Sequence, residues 1–377
     1  MKIALYYPWI HLTSGVERTI LETVLKTKHE YVIFTNHFEP ENTFPEFKKL
    51  NVVVLKDIPV RRSITDVIKA SIIIMFQKIN LNDFDKLIVH SEGLGDLILF
   101  RNHSIPTICY CHTPLRPVFD IKYQEIAVKK RQPLKKVIYY LFSSIFKVLD
   151  QHLWKRYESI IFNSKETLNR AIDGKLINKN SNYKIINPGV NVVVPNPSKI
   201  FKEYFFLPGR ITWTKNVELA INAFIIFKKN KRFNKFKLVI AGQVDKKSNA
   251  YYKNLKRKYR RSDLIFKINP KDKEMHRLYK ECYATLATAF NEDWGITPIE
   301  ANSFGKPTIC TNSGGFKESQ INGATGYLVE PKPNEFSKFM TKLADDIDLT
   351  RKMGGRSFTN SLKYSWVKFV KKFEQSI

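Results

Sequence analysis

The chain has 377 residues, and its content of 43% hydrophobic and 13% aromatic residues is typical of a globular protein rather than a disordered one. That length favours two domains, each able to bury its own core. With 63 Lys and Arg against 35 Asp and Glu, the formal net charge of +28 favours a polyanionic partner: nucleic acid, an anionic membrane or a phosphate-bearing substrate. No run of about 20 uncharged apolar residues occurs, so the sequence predicts no membrane-spanning helix.

The first half of the chain predicts strands that alternate with helices. MKIALYYPWIHLTSG has one lysine and a short apolar run, so we expect a first buried strand and not a signal peptide. The next strand candidates are YVIFTN, NVVVLKD, KLIVHSE (86–92), PTICYCH (106–112), SIIFNS (159–164) and YKIINPGVN (183–191). This alternation predicts a parallel sheet covered on both faces.

The strand and helix pattern restarts after NPGVNVVVPNPSK, whose PNP run predicts a stiff, extended linker. The later strand candidates are FFLPGR (205–210), KLVIAG (237–242), LIFKI (264–268), YATLATA (283–289), PTICT (307–311) and GYLVE (326–330). The chain therefore divides into two α/β halves near residue 190, and YSWVKFVKKFEQSI predicts an amphipathic terminal helix.

The four cysteines do not have the spacing of a zinc site. Cys109 and Cys111 alternate along one strand, so both are expected on one face of the sheet. Cys282 and Cys310 form no second close pair. We expect reduced, structural thiols in a cytosolic protein.

The stretch AFNEDWGITPIEANSFG (289–305) places two carboxylates around the expected start of a helix. Thr297, Pro298 and Glu300 predict a capping box with proline at the first helical position, in which Glu300 caps the helix and has no further role. Alternatively, the unpaired N–H groups of the helix form an anion site, which Gly295 opens to close approach and Glu292 flanks. The pattern leaves both interpretations open.

A basic pair follows the first strand of the second half, in LPGRITWTKN (207–216). Arg210 and Lys215 lie at the carboxyl end of that strand, where open α/β sheets bind their ligands. Arg binds phosphate oxygens in a bidentate manner and Lys adds a point charge. The other interpretation is two solvated cations in a basic protein.

Three further loops follow strands. His112 ends a strand in YCHTPLRP, Gly15 leads into a helix in LTSGVERTI, and SGG (313–315) follows PTICT. His112 is either a ligand contact or a structural histidine, and SGG is either a ligand loop or a plain turn. Gly15 is a candidate backbone contact for an anion. Gly15 is not part of a G-x-G-x-x-G fingerprint, which argues against a nicotinamide dinucleotide.

Two D-x-D triplets, Asp83/Asp85 and Asp346/Asp348, have the spacing that holds a metal over a diphosphate. The first precedes a strand, at the wrong edge of the sheet, and the second lies in a polar helical segment. We therefore expect solvated surface carboxylates and no metal site.

Together the motifs resemble the retaining glycosyltransferases of the GT-B fold, glycosyltransferase family 4. The segment E-D-W-G-I-T-P-I-E-A matches the family's E-F-G-x-x-x-x-E-A type, and HTPLRPVFD is similar to the HTPMRYxWD turn of a mannosyltransferase-rich subgroup. Pro117 and Phe119 stand where that turn usually has Tyr and Trp. The resemblance implies an α/β GT-B fold with two Rossmann-like, doubly wound domains facing a central cleft. It places an acceptor-binding domain at 1–190, a nucleotide-sugar-binding domain at 191–361, and a terminal helix (362–377) that packs back on the first.

The resemblance also implies residue roles. Arg210 and Lys215 would neutralise the diphosphate, Glu300 would bind the ribose, and Glu292 would face the sugar. The implied catalytic set is Glu292, His112, Arg210 and Lys215, and the implied donor-binding set is Gly15, Arg210, Lys215, Gly295, Ile296, Thr297 and Glu300. Because protein cations would stabilise the leaving group, no metal and no further cofactor are expected. Front-face attack is preferred over a covalent double displacement, since no nucleophile is identifiable.

The segment KKRQPLKKVIYYLFSSIFKVLDQHLWKR, from Lys129 to Arg156, carries eight Lys and Arg and a single acid, Asp150. Its apolar middle is shorter than the roughly 20 residues that span a bilayer, but it suits an anionic membrane interface. The alternative is a core helix with a solvated basic rim.

The expected activity is transfer of a hexose, with mannose favoured and glucose possible, from GDP-mannose or a UDP-hexose. The expected acceptor is a glycan or a lipid-linked glycan, reached from the cytoplasm by a protein bound peripherally to the inner face of the cell membrane. One rival is a basic nucleic-acid-binding protein, but no helix-turn-helix, RNA-recognition or zinc signature occurs, so no nucleic acid is expected as partner. The other rival is a catalytically silent nucleotide-sugar binder on the same fold.

Overall fold

The structure is a computed structural model that describes residues 1–60, 63–129, 133–192, 195–245 and 247–377. Residues 193–194 of the expected linker and 130–132 of the basic segment lie outside the described residues. The chain forms two compact units. The first combines Met1–Pro188 with Trp366–Ile377, and the second is Gly189–Ser365.

The first unit is built on a parallel sheet. Its strands are β1 (Lys2–Tyr6), β2 (Trp9–Ile10), β3 (Glu30–Thr35), β4 (His37–Phe38), β5 (Val52–Val54), β6 (Lys86–Ser91), β7 (Thr107–Cys111), β8 (Ser159–Phe162) and β9 (Tyr183–Ile185). Its first helices are α1 (Gly15–Lys26), α2 (Ile64–Phe76), α3 (Arg116–Phe119), α4 (Ile121–Lys129), α5 (Pro133–Leu153) and α6 (Lys165–Asp173). The main sheet has the order β5-β3-β1-β6-β7-β8-β9, and β2 pairs separately with β4.

The second unit repeats this design with six strands. They are β10 (Tyr204–Pro208), β11 (Lys237–Gly242), β12 (Leu264–Ile268), β13 (Ala284–Ala287), β14 (Thr308–Thr311) and β15 (Gly326–Val329). The helices are α7 (Val217–Phe227), α8 (Asn249–Lys258), α9 (Asp272–Glu281), α10 (Ile296–Ser303), α11 (Phe316–Ser319), α12 (Pro333–Asp345) and α13 (Ile347–Ser361). All its strand pairs are parallel, in the order β12-β11-β10-β13-β14-β15. The last helix of the chain, α14 (Trp366–Glu374), belongs to the first unit.

Both faces of the first unit's sheet are buried. Ala4 and Tyr6 of β1 pack in one core with Phe146 of α5, while Ile3 packs in another core with Phe369 of α14. The two cores lie on opposite faces because successive side chains of a strand alternate. Cys109 and Cys111 share the first of these cores, and all four cysteines are buried and outside any disulfide. Each strand predicted from the sequence overlaps a strand of the structure, and the doubly wound α/β fold is confirmed.

The capping box predicted at Thr297–Glu300 is wrong. Helix α10 begins at Ile296 with Gly295 as its N-cap, so Thr297 and Pro298 are its second and third residues. Gly295 has φ 73°, and a Cβ built there would lie 2.5 Å from Cδ1 of Phe316, so this position requires glycine. The helix therefore begins after Gly295, earlier than the capping-box pattern indicates. Pro298 fits at the third position because the first N–H groups of a helix have no partner within it.

Within the described residues, no helix is both long enough and apolar enough to cross a membrane.

Candidate active site

The candidate donor residues of the second unit follow two neighbouring strands. Strand β10 pairs with β11 on one side and with β13 on the other, so the order of the sheet reverses at this strand. Open α/β sheets bind ligands at the carboxyl ends of strands beside such a reversal. Arg210 and Lys215 follow β10, and Glu292 follows β13. The topology therefore gathers these three residues at one edge of the sheet.

Lys215 and Glu292 are in direct contact. Nζ of Lys215 lies 2.7 Å from Oε2 of Glu292, with about a quarter of each side chain exposed. Their loops are also joined through the backbone, because the N–H of Phe290 donates to the carbonyl of Thr214 over 2.9 Å. The Thr288 hydroxyl donates to the carbonyl of Lys215 over 2.8 Å. The ammonium group is thus anchored beside a carboxylate and still reaches solvent.

Arg210 is exposed and follows Gly209, whose φ of 120° favours glycine. The adjacent loop carries Asp245. Burial raises the pKa of Asp245, but the hydrogen bonds from Ser248 and the charges of Lys247 and Arg210 hold it below its ordinary value. Arg210 therefore contributes positive potential along the carboxyl edge of β10 and β11.

The SGG loop supports the loop that carries Glu292. The N–H of Gly315 donates to the carbonyl of Glu292 over 2.7 Å. Gly314 has φ 57°, and a Cβ built there would lie 2.3 Å from that same carbonyl oxygen. The glycines therefore allow a close backbone contact, so the loop is more than a plain turn.

Helix α10 opens beside Glu292. Gly295 is its N-cap, and Ile296 and Thr297 are its first two residues. The first N–H groups of a helix have no partner within it and carry a partial positive charge, which suits an anion. The donor-binding residues expected at 295–297 are therefore placed at a helix N-terminus.

Glu300 has a partner that the sequence pattern did not indicate. Its Oε2 accepts a hydrogen bond from the hydroxyl of Tyr279 over 2.7 Å. Tyr279 is buried on α9, and burial together with the charge of Glu300 raises its pKa well above the ordinary value. A neutral phenol thus orients the carboxylate. No sequence signal identifies this pair, because the two residues belong to different helices.

In the first unit, His112 directly follows β7 and is nearly buried. Its Nε2 lies 3.0 Å from Nδ1 of His90 on the neighbouring strand β6. Its N–H donates to Ser91 and its carbonyl accepts from Nδ2 of Asn163, each over 2.8 Å. Burial, and then the charge of His112, lower the pKa of His90 well below its ordinary value, so His90 is a neutral partner. The alternation along β6 predicts burial of His90 but not its partner.

The turn after His112 is held by a buried carboxylate. Asp120 accepts from Nε of Arg116 over 3.0 Å and lies 3.3 Å from Nη2 of Arg170 on α6. Nη1 of Arg170 also donates to the hydroxyl of Thr113. Arg170 therefore ties both ends of the HTPLRPVFD turn together, a role the sequence does not indicate.

Gly15 is the first residue of α1, and the preceding Ser14 accepts a hydrogen bond from the N–H of Val16 over 3.3 Å. The carboxylate of Glu17 accepts from the N–H of Leu12 over 3.2 Å and from the hydroxyl of Ser14. Burial raises the pKa of Glu17 to about 7. The loop before Gly15 is thus closed by a carboxyl group that changes protonation near neutral pH.

The two D-x-D triplets lie on the surface. Asp85 accepts a hydrogen bond from the N–H of Lys2 over 2.7 Å, and Asp346 caps α13 through the N–H of Leu349 over 2.8 Å. Across the ranges that the structure describes, no group of three or more His, Cys, Asp and Glu side chains is arranged to hold a metal ion.

Comparison with known proteins shows that the chain is similar to glycosyltransferases. Residues 195–358 match the family model "Glycosyl transferases group 1". The chain is 26% identical to alpha-1,3/1,6-mannosyltransferase ALG2 of Dictyostelium discoideum, over 98% of this chain and 96% of the relative. It is 25% identical to the Mus musculus protein of the same name, over 90% and 87%. The crystal structure of Anabaena Alr3699/HepE in complex with UDP and glucose matches with a TM-score of 0.74 at 16% identity, over 100% of this chain and 98% of that one, which shows the fold.

The family match covers the second unit from just before β10 to within α13, and therefore includes the loops that carry Arg210, Lys215, Glu292 and Glu300. The relatives align with nearly the whole chain, and the fold is shared along its full length. The chain is a glycosyltransferase of the GT-B fold, and it resembles glycosyltransferases of the family 4 type.

Proposed function

We propose that this glycosyltransferase transfers mannose from a nucleotide-diphosphate sugar to a glycan or lipid-linked glycan, with retention of anomeric configuration. The observation that carries the proposal is the contact of 2.7 Å between Lys215 and Glu292 beside the start of α10. The choice of mannose is supported by relatives named as mannosyltransferases that align along nearly the whole chain. GDP-mannose is the favoured donor, and a UDP-hexose is the alternative.

The proposed chemistry follows from the charges at this edge of the sheet. Breaking a sugar–phosphate bond builds negative charge on the diphosphate, which Arg210, Lys215 and the amides at 295–297 stabilise. Positive charge develops on the sugar ring, and Glu292 is the carboxylate that we propose to face it. A donor phosphate oxygen accepts the proton of the acceptor hydroxyl, so attack occurs on the face that the diphosphate leaves.

The contact between Lys215 and Glu292 has a place in this scheme. Before the donor binds, the carboxylate keeps the ammonium group oriented at the mouth of α10. A diphosphate carries more negative charge than one carboxylate, so Lys215 turns to it when the donor arrives. Glu292 is then released towards the sugar. Glu300, oriented by Tyr279, accepts hydrogen bonds from the ribose hydroxyls.

The first unit is proposed to bind the acceptor. His112 and Gly15 are its proposed contributions to the reaction, with His90 and Glu17 holding them in position. The nucleotide sugar is a cytosolic metabolite, so the enzyme is proposed to work from the cytoplasm at the inner face of the cell membrane. Nucleic acid has no role in this proposal, and neither does a metal ion.

Thermal unfolding with candidate donors tests the proposal, because a ligand that binds only the folded state raises the Tm. GDP-mannose should raise the Tm more than UDP-glucose or ADP-glucose, and transfer of labelled mannose to a lipid-linked glycan should follow. The Glu292→Gln variant should keep the donor-induced rise in Tm and lose transfer, which separates an enzyme from a silent binder. A larger shift with UDP-glucose would replace mannose by glucose, and no shift with any nucleotide sugar would contradict the donor site.

A further inference from the structure

Helix α5 buries one side of its surface and exposes an apolar stripe on another. Its buried residues are Tyr139, Phe146, Asp150 and Leu153. The α5 stripe consists of six aliphatic side chains that are between 38% and 72% exposed: Leu134, Val137, Ile138, Leu141, Ile145 and Val148. At 100° per residue, the six fall within a sector about 100° wide, centred roughly 140° from the buried side. The stripe is therefore a second amphipathic face, which the core of the unit does not cover.

A smaller apolar group lies on helix α2 and on Phe100, which ends the 3-10 helix Leu94–Phe100. Ile72 and Phe76 are about half exposed, and the ring of Phe76 packs against that of Phe100 with centroids 5.7 Å apart. Residues on the inner sides of α2 and α5 share one core, so the two helices cover the same face of the sheet. The α5 stripe and the Ile72–Phe76–Phe100 group therefore belong to the same side of the first unit.

The charges beside these apolar groups are positive. On α5, Lys135, Lys136 and Lys147 reach the surface, whereas the acid of this helix, Asp150, is buried. Lys69 and Lys56 lie beside Ile72 of α2. At 100° per residue, Lys135 lies about 60° beyond one edge of the α5 stripe, and Lys147 and Lys136 lie about 80° and 100° beyond the other edge. An exposed apolar face with cations on both flanks matches an anionic lipid surface, where the cations reach the headgroups and the apolar side chains enter the interface.

We propose that the α5 stripe and the Ile72–Phe76–Phe100 group form one membrane-contact surface for anionic lipid, with α5 lying parallel to the bilayer. A large exposed apolar patch is uncommon on a soluble monomer and marks an interaction site. A second copy of this chain fits the surface less well, because a two-fold contact through α5 would bring lysines towards lysines. The inference rests on the proposed function for the lipid-linked acceptor, but the binding of lipid does not require transfer.

Sedimentation with phospholipid vesicles tests this surface. At low salt, the protein should sediment with phosphatidylcholine vesicles that contain about one quarter phosphatidylglycerol, and not with pure phosphatidylcholine. Binding should weaken as added salt screens the charges. The Val148→Glu variant should reduce binding at least tenfold, and Phe76→Glu should reduce it by a smaller factor.

Val367→Glu is the matched control, because Val367 is 72% exposed and Val148 is 69% exposed. Val367 lies on α14, which packs on the opposite face of the same sheet, so this variant should bind vesicles as the wild type does. Equal binding by the two valine variants would overturn the proposal. So would a wild type that ignores anionic vesicles at low salt, or a dimer that Val148→Glu dissociates without any binding of vesicles.

Transfer assays distinguish an error in the proposed membrane surface from an error in the proposed function. Transfer to a short-chain, water-soluble acceptor should proceed at the wild-type rate in Val148→Glu, since the variant residue faces away from the core. Vesicle binding without any transfer by the wild type would contradict the proposed function alone. Transfer to lipid-linked acceptor in vesicles that is unchanged in Val148→Glu would contradict the surface alone.

Discussion

At the scale of the residue, the contact between Lys215 and Glu292 depends on the pairing of two strands. The two residues are 77 positions apart in the sequence, and the contact of 2.7 Å exists because β10 and β13 are neighbours in the sheet. Arg210 follows the same strand, so two cations flank one edge. A diphosphate bound there would meet both of them.

Replacing either cation should weaken donor use. Arg210→Ala and Lys215→Ala should each cost roughly 2–4 kcal/mol in transition-state stabilisation, because the lost charge faces the diphosphate as its negative charge grows. Steady-state kinetics with saturating acceptor would measure kcat/KM for the donor. Lys237→Ala is the matched control, since Lys237 is exposed at the amino end of neighbouring β11. Wild-type kinetics in both active-site variants would contradict the diphosphate assignment.

Glu17 links a single buried carboxyl to the pH dependence of stability. Burial raises its folded-state pKa from the ordinary value of 4.5 to about 7, so the folded state favours the protonated form. The resulting destabilisation is fully present above pH 7 and disappears as the pH falls towards the pKa of the unfolded state. Between these values, the stability of the wild type relative to Glu17→Gln should rise by about 3 kcal/mol as the pH falls.

Urea unfolding of both proteins between about pH 7.5 and pH 4.5 would measure this difference. Glu41→Gln, at a side chain that is 80% exposed, should differ from the wild type by an amount that hardly changes with pH. If the difference in free energy of unfolding between the wild type and Glu17→Gln were equally independent of pH, folding would not raise the pKa of Glu17.

At the scale of the element, the loop after β14 supports the loop after β13. Gly315 donates its N–H to the carbonyl of Glu292, and Gly314 lies so close that a Cβ would be 2.3 Å from the same oxygen. The short helix α11 follows and places Phe316 against Gly295. The position of Glu292 and the start of α10 therefore depend on one neighbouring loop.

Gly314→Ala should displace the Glu292 loop. The variant loses about 1–2 kcal/mol from its left-handed backbone alone, and the clash with Glu292 should add loss of transfer. Gly323→Ala is the control, because Gly323 has φ 74° but a Cβ there meets no atom within 4 Å among the described residues. Tm and kcat of both variants would be compared. Equal kcat in the two would mean that the contact with Glu292 does not serve transfer.

At the scale of the whole molecule, the positive charge contributes to two proposed binding surfaces. Arg210 and Lys215 follow β10 at the proposed donor edge of the second unit, and exposed lysines lie on both flanks of the α5 stripe of the first. If Arg210, Lys215 and the start of α10 stabilise the leaving diphosphate as proposed, the enzyme is expected to need no divalent cation.

Transfer should therefore continue at an unchanged rate in excess EDTA. The measurement is product formation from labelled donor with and without the chelator, and then with added manganese or magnesium. A metal-dependent transferase assayed in parallel would show that the chelator is effective. Loss of activity that either metal restores would contradict the mechanism.

The sequence by itself determined the fold class and the order of the elements. Apolar runs such as KLIVHSE and KLVIAG form β6 and β11 because short β-rich segments between turn residues have few other ways to bury their side chains. Their alternation with helices required parallel sheets. The same rule placed Arg210, Lys215 and Glu292 after strands, where a doubly wound sheet binds ligands. The family resemblance carried by these motifs is confirmed by the comparisons.

Only the tertiary structure decided which residues support those positions. The pairs His90–His112, Tyr279–Glu300 and Gly314–Glu292 each join different elements, so no local pattern contains them. The capping-box prediction failed for the same reason, since Phe316 of α11 packs on Gly295 where α10 begins. The exposure of the α5 stripe was equally hidden, because an apolar helix has the same sequence pattern whether its apolar face meets a core or a membrane. Local hydrophobicity sets the elements, whereas the contacts between them depend on packing across the sheet.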